Sequence, residues 1–154
     1  MASFNFFICL FALIALLSLS TSHAAPLAPR QIGNLTCNID RIKIVAALAS
    51  TKNALSGLTT AAANDPAASA AAAQATEGID SADAGVATIA KALLTLQAAP
   101  AAARDQVGAG LTQAQTALNS INSTDPAVTA KLSSAQGSLT KAITAGQGVV
   151  DNCK

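Results

Sequence analysis

Apolar residues recur along the chain in steps of three and four through four successive segments, the spacing that gathers side chains on one face of an α-helix. In the first, Cys37, Arg41, Ile44, Leu48, Thr51, Leu55, Leu58 and Ala62 fall in line, and Leu35, Ile39, Ile42 and Val45 broaden the face near its start. The second stripe is Ala75, Ile79, Ala82, Val86, Ile89, Leu93 and Leu96. The third is Ala103, Val107, Leu111, Ala114, Leu118 and Ile121. The fourth runs Val128, Leu132, Ala135, Leu139, Ile143, Gly146, Val149 or Val150, and Cys153. No segment alternates with period two, so the expectation is an all-α domain.

Breaks between the stripes carry helix-start chemistry. "NDPAAS" at 64–69 and "TDPAVT" at 124–129 each place Asp at an N-cap and Pro at the first helical position, where a missing N–H costs nothing. Pro100 marks a third start without a capping side chain. Connections of a few residues make successive helices antiparallel neighbours, which predicts an up-down-up-down antiparallel four-helix bundle.

Ahead of this pattern stands "FNFFICLFALIALLSLS", an apolar run from Phe4 to Ser20 that leads into the small and polar "TSHAA". The run is short for a bilayer span and has the form of a secretory signal peptide; an uncleaved membrane anchor is the alternative. Ser22 and Ala24 fit cleavage after Ala24, which divides the chain into a signal peptide over 1–24, a flexible mature N-terminus over 25–34 and a single helical-bundle domain over 35–154. A further cut after Arg30 would expose Gln31, which can cyclise.

Removing the leader changes the composition. All four Phe, the single Met, the single His (His23) and Cys9 precede Ala24, so the mature chain has no aromatic residue, no His and no Met. About 130 residues remain, enough for one core, with acidic and basic residues nearly balanced. No Lys/Arg cluster is dense enough for a nucleic-acid or membrane-surface partner, and no ring is available for stacking bases or sugars. His-dependent triads and the usual zinc sites are excluded, and no cofactor is implied.

Two cysteines, Cys37 and Cys153, remain in the mature chain. In a secreted protein an even pair reads as a disulfide; free thiols or an intermolecular bridge are the alternatives. In the expected bundle, the start of the first helix and the end of the fourth lie at the same end of the molecule. A Cys37–Cys153 bridge would tie the termini together around a loop of more than a hundred residues, an effect of about 4–5 kcal/mol on chain-entropy grounds.

Such a staple suits a thin core. "AAANDPAASAAAAQA" is nearly all small residues, and Gly78, Gly85, Gly108, Gly110, Gly137 and Gly146 fall within helical segments. Small residues either let helices approach closely or leave a narrow apolar groove, for which Leu48, Leu55, Ile89, Leu93, Leu111 and Leu139 are the candidate lining residues. Glu77, Asp80 and Asp83 form the densest acidic cluster, read as a solvated helix face in preference to a weak calcium site or an acid/base pair. Arg41, beside Asp40 and Lys43, is expected to snorkel or pair near the bundle end. "NLT" at Asn34 and "NST" at Asn122 are glycosylation sequons beside helix boundaries.

The stretch "RQIGNLTCNIDRIKIVAALAST", the Ala/Thr/Gln-rich helical body and the terminal "VVDNCK" resemble small secreted Ala-rich helical proteins of arthropods that have no assigned activity. In general type the chain also resembles fungal hydrophobic-surface-binding proteins, small secreted helical proteins that coat apolar surfaces. The arthropod resemblance implies secretion and little more; the export signal together with the absence of catalytic chemistry leads to the expectation of a non-enzymatic interaction or surface-associated protein, of salivary, venom or cuticular type, with a protein or an apolar surface as partner. The alternative is a carrier of lipids or other small apolar ligands between the helices. Adsorption to ice is disfavoured, because an eleven-residue Thr spacing occurs only between Thr129 and Thr140.

Overall fold

The computed structural model describes residues 35–153. The predicted signal peptide, the segment 25–34 with Asn34, and Lys154 lie outside the described residues. Four helices follow one another: α1 Leu35–Ala61, α2 Pro66–Leu94, α3 Ala101–Asn119 and α4 Pro126–Asn152. They form the expected up-down-up-down bundle, and no strand occurs among the described residues.

Local chemistry sets the boundaries. The Asp65 carboxylate accepts from the Ala68 N–H at 3.0 Å and the Asp125 carboxylate from the Ala127 N–H at 2.7 Å, each followed by proline in the first turn. Helix α3 begins after Pro100 without a side-chain cap. Within the helices many Thr hydroxyls donate to the carbonyl four residues back, which hides a polar group without a tertiary partner. Thr51 is the case that matters, because it lies on the inward stripe: fully buried, it donates to the Ala47 carbonyl at 2.8 Å.

The bundle is built as two close helix pairs, α1 with α4 and α2 with α3, which meet each other less intimately. Glycine explains the second pair. A Cβ added at Gly78 would lie 2.6 Å from the Gly110 carbonyl oxygen and 2.8 Å from the Ala114 nitrogen, and one at Gly85 would lie 2.8 Å from the Ala103 carbonyl oxygen. A Cβ at Gly110 would in turn run into the Gly78 carbonyl. The backbones touch there because neither chain carries a side chain, so close approach is the use of these residues. Gly108 and Gly137 face open space, and a Cβ at Gly146 would make only ordinary contact with Ile44 and Leu111.

Large apolar side chains fill the space between the two pairs. Leu48, Leu55, Leu58, Ile79, Leu118 and Val128 are fully buried, yet more than half of the buried apolar positions are alanine, so the core is thin. Polar ties at the rims add register: Lys52 reaches both Asp80 (3.0 Å) and Asp83 (2.8 Å) across α1 and α2, and Ser50 meets Ser138 at 3.2 Å across α1 and α4. These exposed contacts orient more than they stabilise.

Two sequence expectations need correction. Leu35, Ile39, Ile42 and Val45 do not broaden the buried face of α1; they lie on its outer side and are exposed, because the start of the helix carries apolar residues on two faces and only one can face the rest of the bundle. Leu96 is not part of the α2 stripe, since the helix ends at Leu94. The pair geometry makes a direct prediction. Gly78→Ala lowers stability by about 1–3 kcal/mol through overpacking, while Gly137→Ala raises it by about 0.5–1 kcal/mol, read from urea unfolding midpoints.

Candidate functional site

The end of the bundle that holds both chain termini of the folded domain concentrates the unusual features. Cys37, buried in the first turn of α1, is bonded to Cys153 at the end of α4, with Cα atoms 5.0 Å apart and a sequence separation of 116. The bridge closes α1 onto α4 where an unpaired helix end would otherwise fray.

A polar latch sits one turn further in. Asp40 is buried, and its carboxylate accepts from the Asn152 side-chain amide at 2.8 Å and from the Lys43 ammonium at 3.1 Å. Gly148 opposite makes room for it, since a Cβ there would lie 2.9 Å from the carboxyl carbon. The hydrogen bond from Asn152, then that from Lys43, hold the Asp40 carboxyl below its ordinary range, and burial offsets this only in part. Arg41, expected on the inward stripe, is half-buried beside it and donates to Asn38 at 3.1 Å. Spacing of four from Cys37 assigned the inward place to Arg41, and the structure gives it to the neighbouring Asp40. The available signal was the Gly148/Asn152 spacing of four on α4.

Around this latched end lies the exposed apolar surface. Leu35 (74% exposed), Ile39, Ile42 (70%) and Val45 occupy the first three turns of α1, Leu94 (86%) and Leu96 (62%) the end of α2, and Val150 (62%) the last turn of α4. In an up-down-up-down bundle these three places are at one end, and every large apolar side chain that is exposed among the described residues is found there. Scattered single exposed hydrophobics are ordinary; their concentration at one end is not.

Leu96 adds a backbone observation. Helix α2 ends with the Gln97 N–H donating to the Ala92 carbonyl at 2.8 Å and the Leu96 N–H donating to the Leu93 carbonyl at 3.0 Å, a Schellman closure. Its left-handed position, usually glycine, is filled by Leu96 at φ 57°. A leucine there carries strain of about 1 kcal/mol or more, and its exposed side chain recovers none of it by packing.

The other candidate residues are placed as follows. Leu48, Leu55, Leu111 and Leu139 are buried in the core, Ile89 packs against it partly buried, and Leu93 is half-buried near the α2 end. Two surface grooves run between α1 and α4 and between α3 and α4; of the six candidate lining residues only Leu139 borders either one. Asn122 is exposed in the 120–125 loop, at the end opposite the disulfide. Of the acidic cluster, Asp80 and Asp83 share Lys52, and Glu77 is exposed. Among the described residues no three His, Cys, Asp or Glu side chains gather as metal ligands, and no helix is long and apolar enough to cross a membrane.

Comparison with known protein families, with curated proteins and with solved structures finds no match for this chain. Its function is therefore argued from its own surface.

The latch predicts a pH dependence. Because the folded Asp40 pKa is lowered, its contribution is complete above the ordinary aspartate pKa of 3.8 and is lost as pH falls toward the folded value. Urea midpoints of the native protein should decline through this acid range. Asp40→Asn should flatten that decline, and an unchanged slope would deny the latch its role.

Proposed function

We propose that this chain is a secreted, non-enzymatic interaction protein that acts at an extracellular apolar surface or on a protein partner through its disulfide end. The observation that carries the reading is the gathering of all exposed large apolar side chains among the described residues at that end. The rest of the domain is ordinary by comparison: a closed Ala-rich core with polar flanks.

Two further features support it. An apolar leader and a disulfide both suit an oxidising, extracellular compartment. The strained Leu96 is an exposed leucine at a position where glycine would be more stable, a local cost that selection for a surface contact accounts for. The resemblance to secreted Ala-rich arthropod proteins without assigned activity, and in type to fungal hydrophobic-surface-binding proteins, is compatible with a salivary, venom or cuticular component. The two sequons, Asn34 and Asn122, fit a secretory route.

A carrier of small apolar ligands has less support. Leu48, Leu55, Leu111 and Leu139 are already packed against neighbouring side chains, so a ligand between the helices would have to displace them.

Adsorption to an alkyl-coated quartz microbalance tests the reading. The protein should adsorb from dilute solution, and Ile42→Asp combined with Leu94→Asp should abolish adsorption while helix content and thermal midpoint stay unchanged, since both side chains are exposed. Leu96→Gly should raise stability by about 1 kcal/mol and weaken adsorption. Undiminished adsorption by the double variant, or a reproducible hydrolytic activity of the purified chain, would contradict the proposal.

A further inference from the structure

Helix α1 carries two apolar stripes on opposite faces, and the fold uses one. The inward stripe, from Cys37 through Ile44, Leu48, Thr51, Leu55 and Leu58, packs on the other helices. The outward stripe, Leu35, Ile39, Ile42, Ala46 and Ala49, also advances by alternating steps of four and three, and all five residues are exposed. That alternation is the narrow seam of a coiled coil, which takes another helix, in contrast to the broad apolar face that lies on a lipid or flat surface.

We infer that the outward stripe of α1 is a self-association seam that receives the same stripe of a second copy of this chain, antiparallel about a two-fold axis. The inference rests on reading the disulfide end as an interaction surface and assigns the α1 part of it to a second copy, leaving Leu94, Leu96 and Val150 for other contacts.

Three observations favour a second copy. The stripe is self-complementary over its middle: its large residues lie toward the helix start and its alanines further along, so antiparallel pairing sets Ile39 against Ala49 and Ile42 against Ala46, with Leu35 beside the exposed Asn53 at each outer edge. Val45, on the flank of the seam, meets its own copy beside the axis. The stripe itself contains no charge, and the cation that flanks it, Lys43, is drawn to Asp40 at 3.1 Å, so two copies do not confront each other with free like charges. The area is the third point. Four large side chains and two alanines on each copy cover on the order of 1,000 Å² in total, at the lower limit for a specific interface, which corresponds to a weak, concentration-dependent dimer.

Sedimentation velocity of the intact, disulfide-closed protein from about 10 µM to about 500 µM is the test. A reversible monomer–dimer equilibrium is expected. Ile42→Asp should weaken it by about tenfold or more. Ala46→Leu should also weaken it, because the space that Ile42 of the second copy fills is lost. Val150→Asp should leave it unchanged. A monomer over the whole range, a dimer indifferent to Ile42→Asp, or a dimer tightened by Ala46→Leu would overturn the seam. So would nuclear Overhauser contacts, within a monomer, from residues 25–34 to Ile39 and Ile42, which would place the chain's own preceding segment on the stripe. If the protein proves monomeric yet still adsorbs through Leu94, the seam falls and the functional reading stands. Loss of both removes both.

Discussion

The contact between the α2 and α3 backbones at Gly78 and Gly110 is the constraint on which the rest of the structure depends. Helices this close leave little room for side chains between them, so the contact between α2 and α3 is written largely in glycine and alanine, and more than half of the buried apolar positions of the domain are alanine. A core of that kind buries little apolar area per residue. The domain offsets the deficit with high helix propensity, with proline and aspartate at helix starts, and with one covalent bond across 116 residues. The position of that bond follows from the same logic. The pair α1–α4 ends in the chain termini, and Cys37–Cys153 with the Asp40–Asn152 hydrogen bond closes the place where it would open first.

Against this economy the exposed leucines and isoleucines stand out. A chain that fills most of its core with alanine nonetheless keeps Leu35, Ile39, Ile42, Val45, Leu94, Leu96 and Val150 in solvent at one end. Moving such residues inward would enlarge the core, so their placement leaves apolar burial unused, with Leu96 in a left-handed backbone conformation as the clearest local cost. The latch and the disulfide close α1 onto α4 at that same end.

Most of the fold was legible in the sequence. Periodicity located four helices, Asp-Pro located two of their starts, and the antiparallel order brought Cys37 to Cys153. Periodicity placed the Cys37, Ile44 and Leu48 stripe inward, but it could not show that Leu35, Ile39, Ile42 and Val45 stay outside and do not widen that face. That choice depends on where α4 lies, a tertiary fact. The same blindness hid Asp40, whose burial needs Gly148 and Asn152 from the far end of the chain. Of the candidate lining residues, Leu48, Leu55, Leu111 and Leu139 lie in the filled core, which periodicity cannot distinguish from a groove.

Native mass spectrometry of the protein purified from its natural source, before and after organic extraction, tests the central claim most directly: that the interior is filled and the function lies on the outside of one end. The account predicts the disulfide-closed chain, with any glycan, carrying no small apolar ligand, and unchanged by extraction. A discrete additional mass that extraction removes would contradict it and make the molecule a carrier.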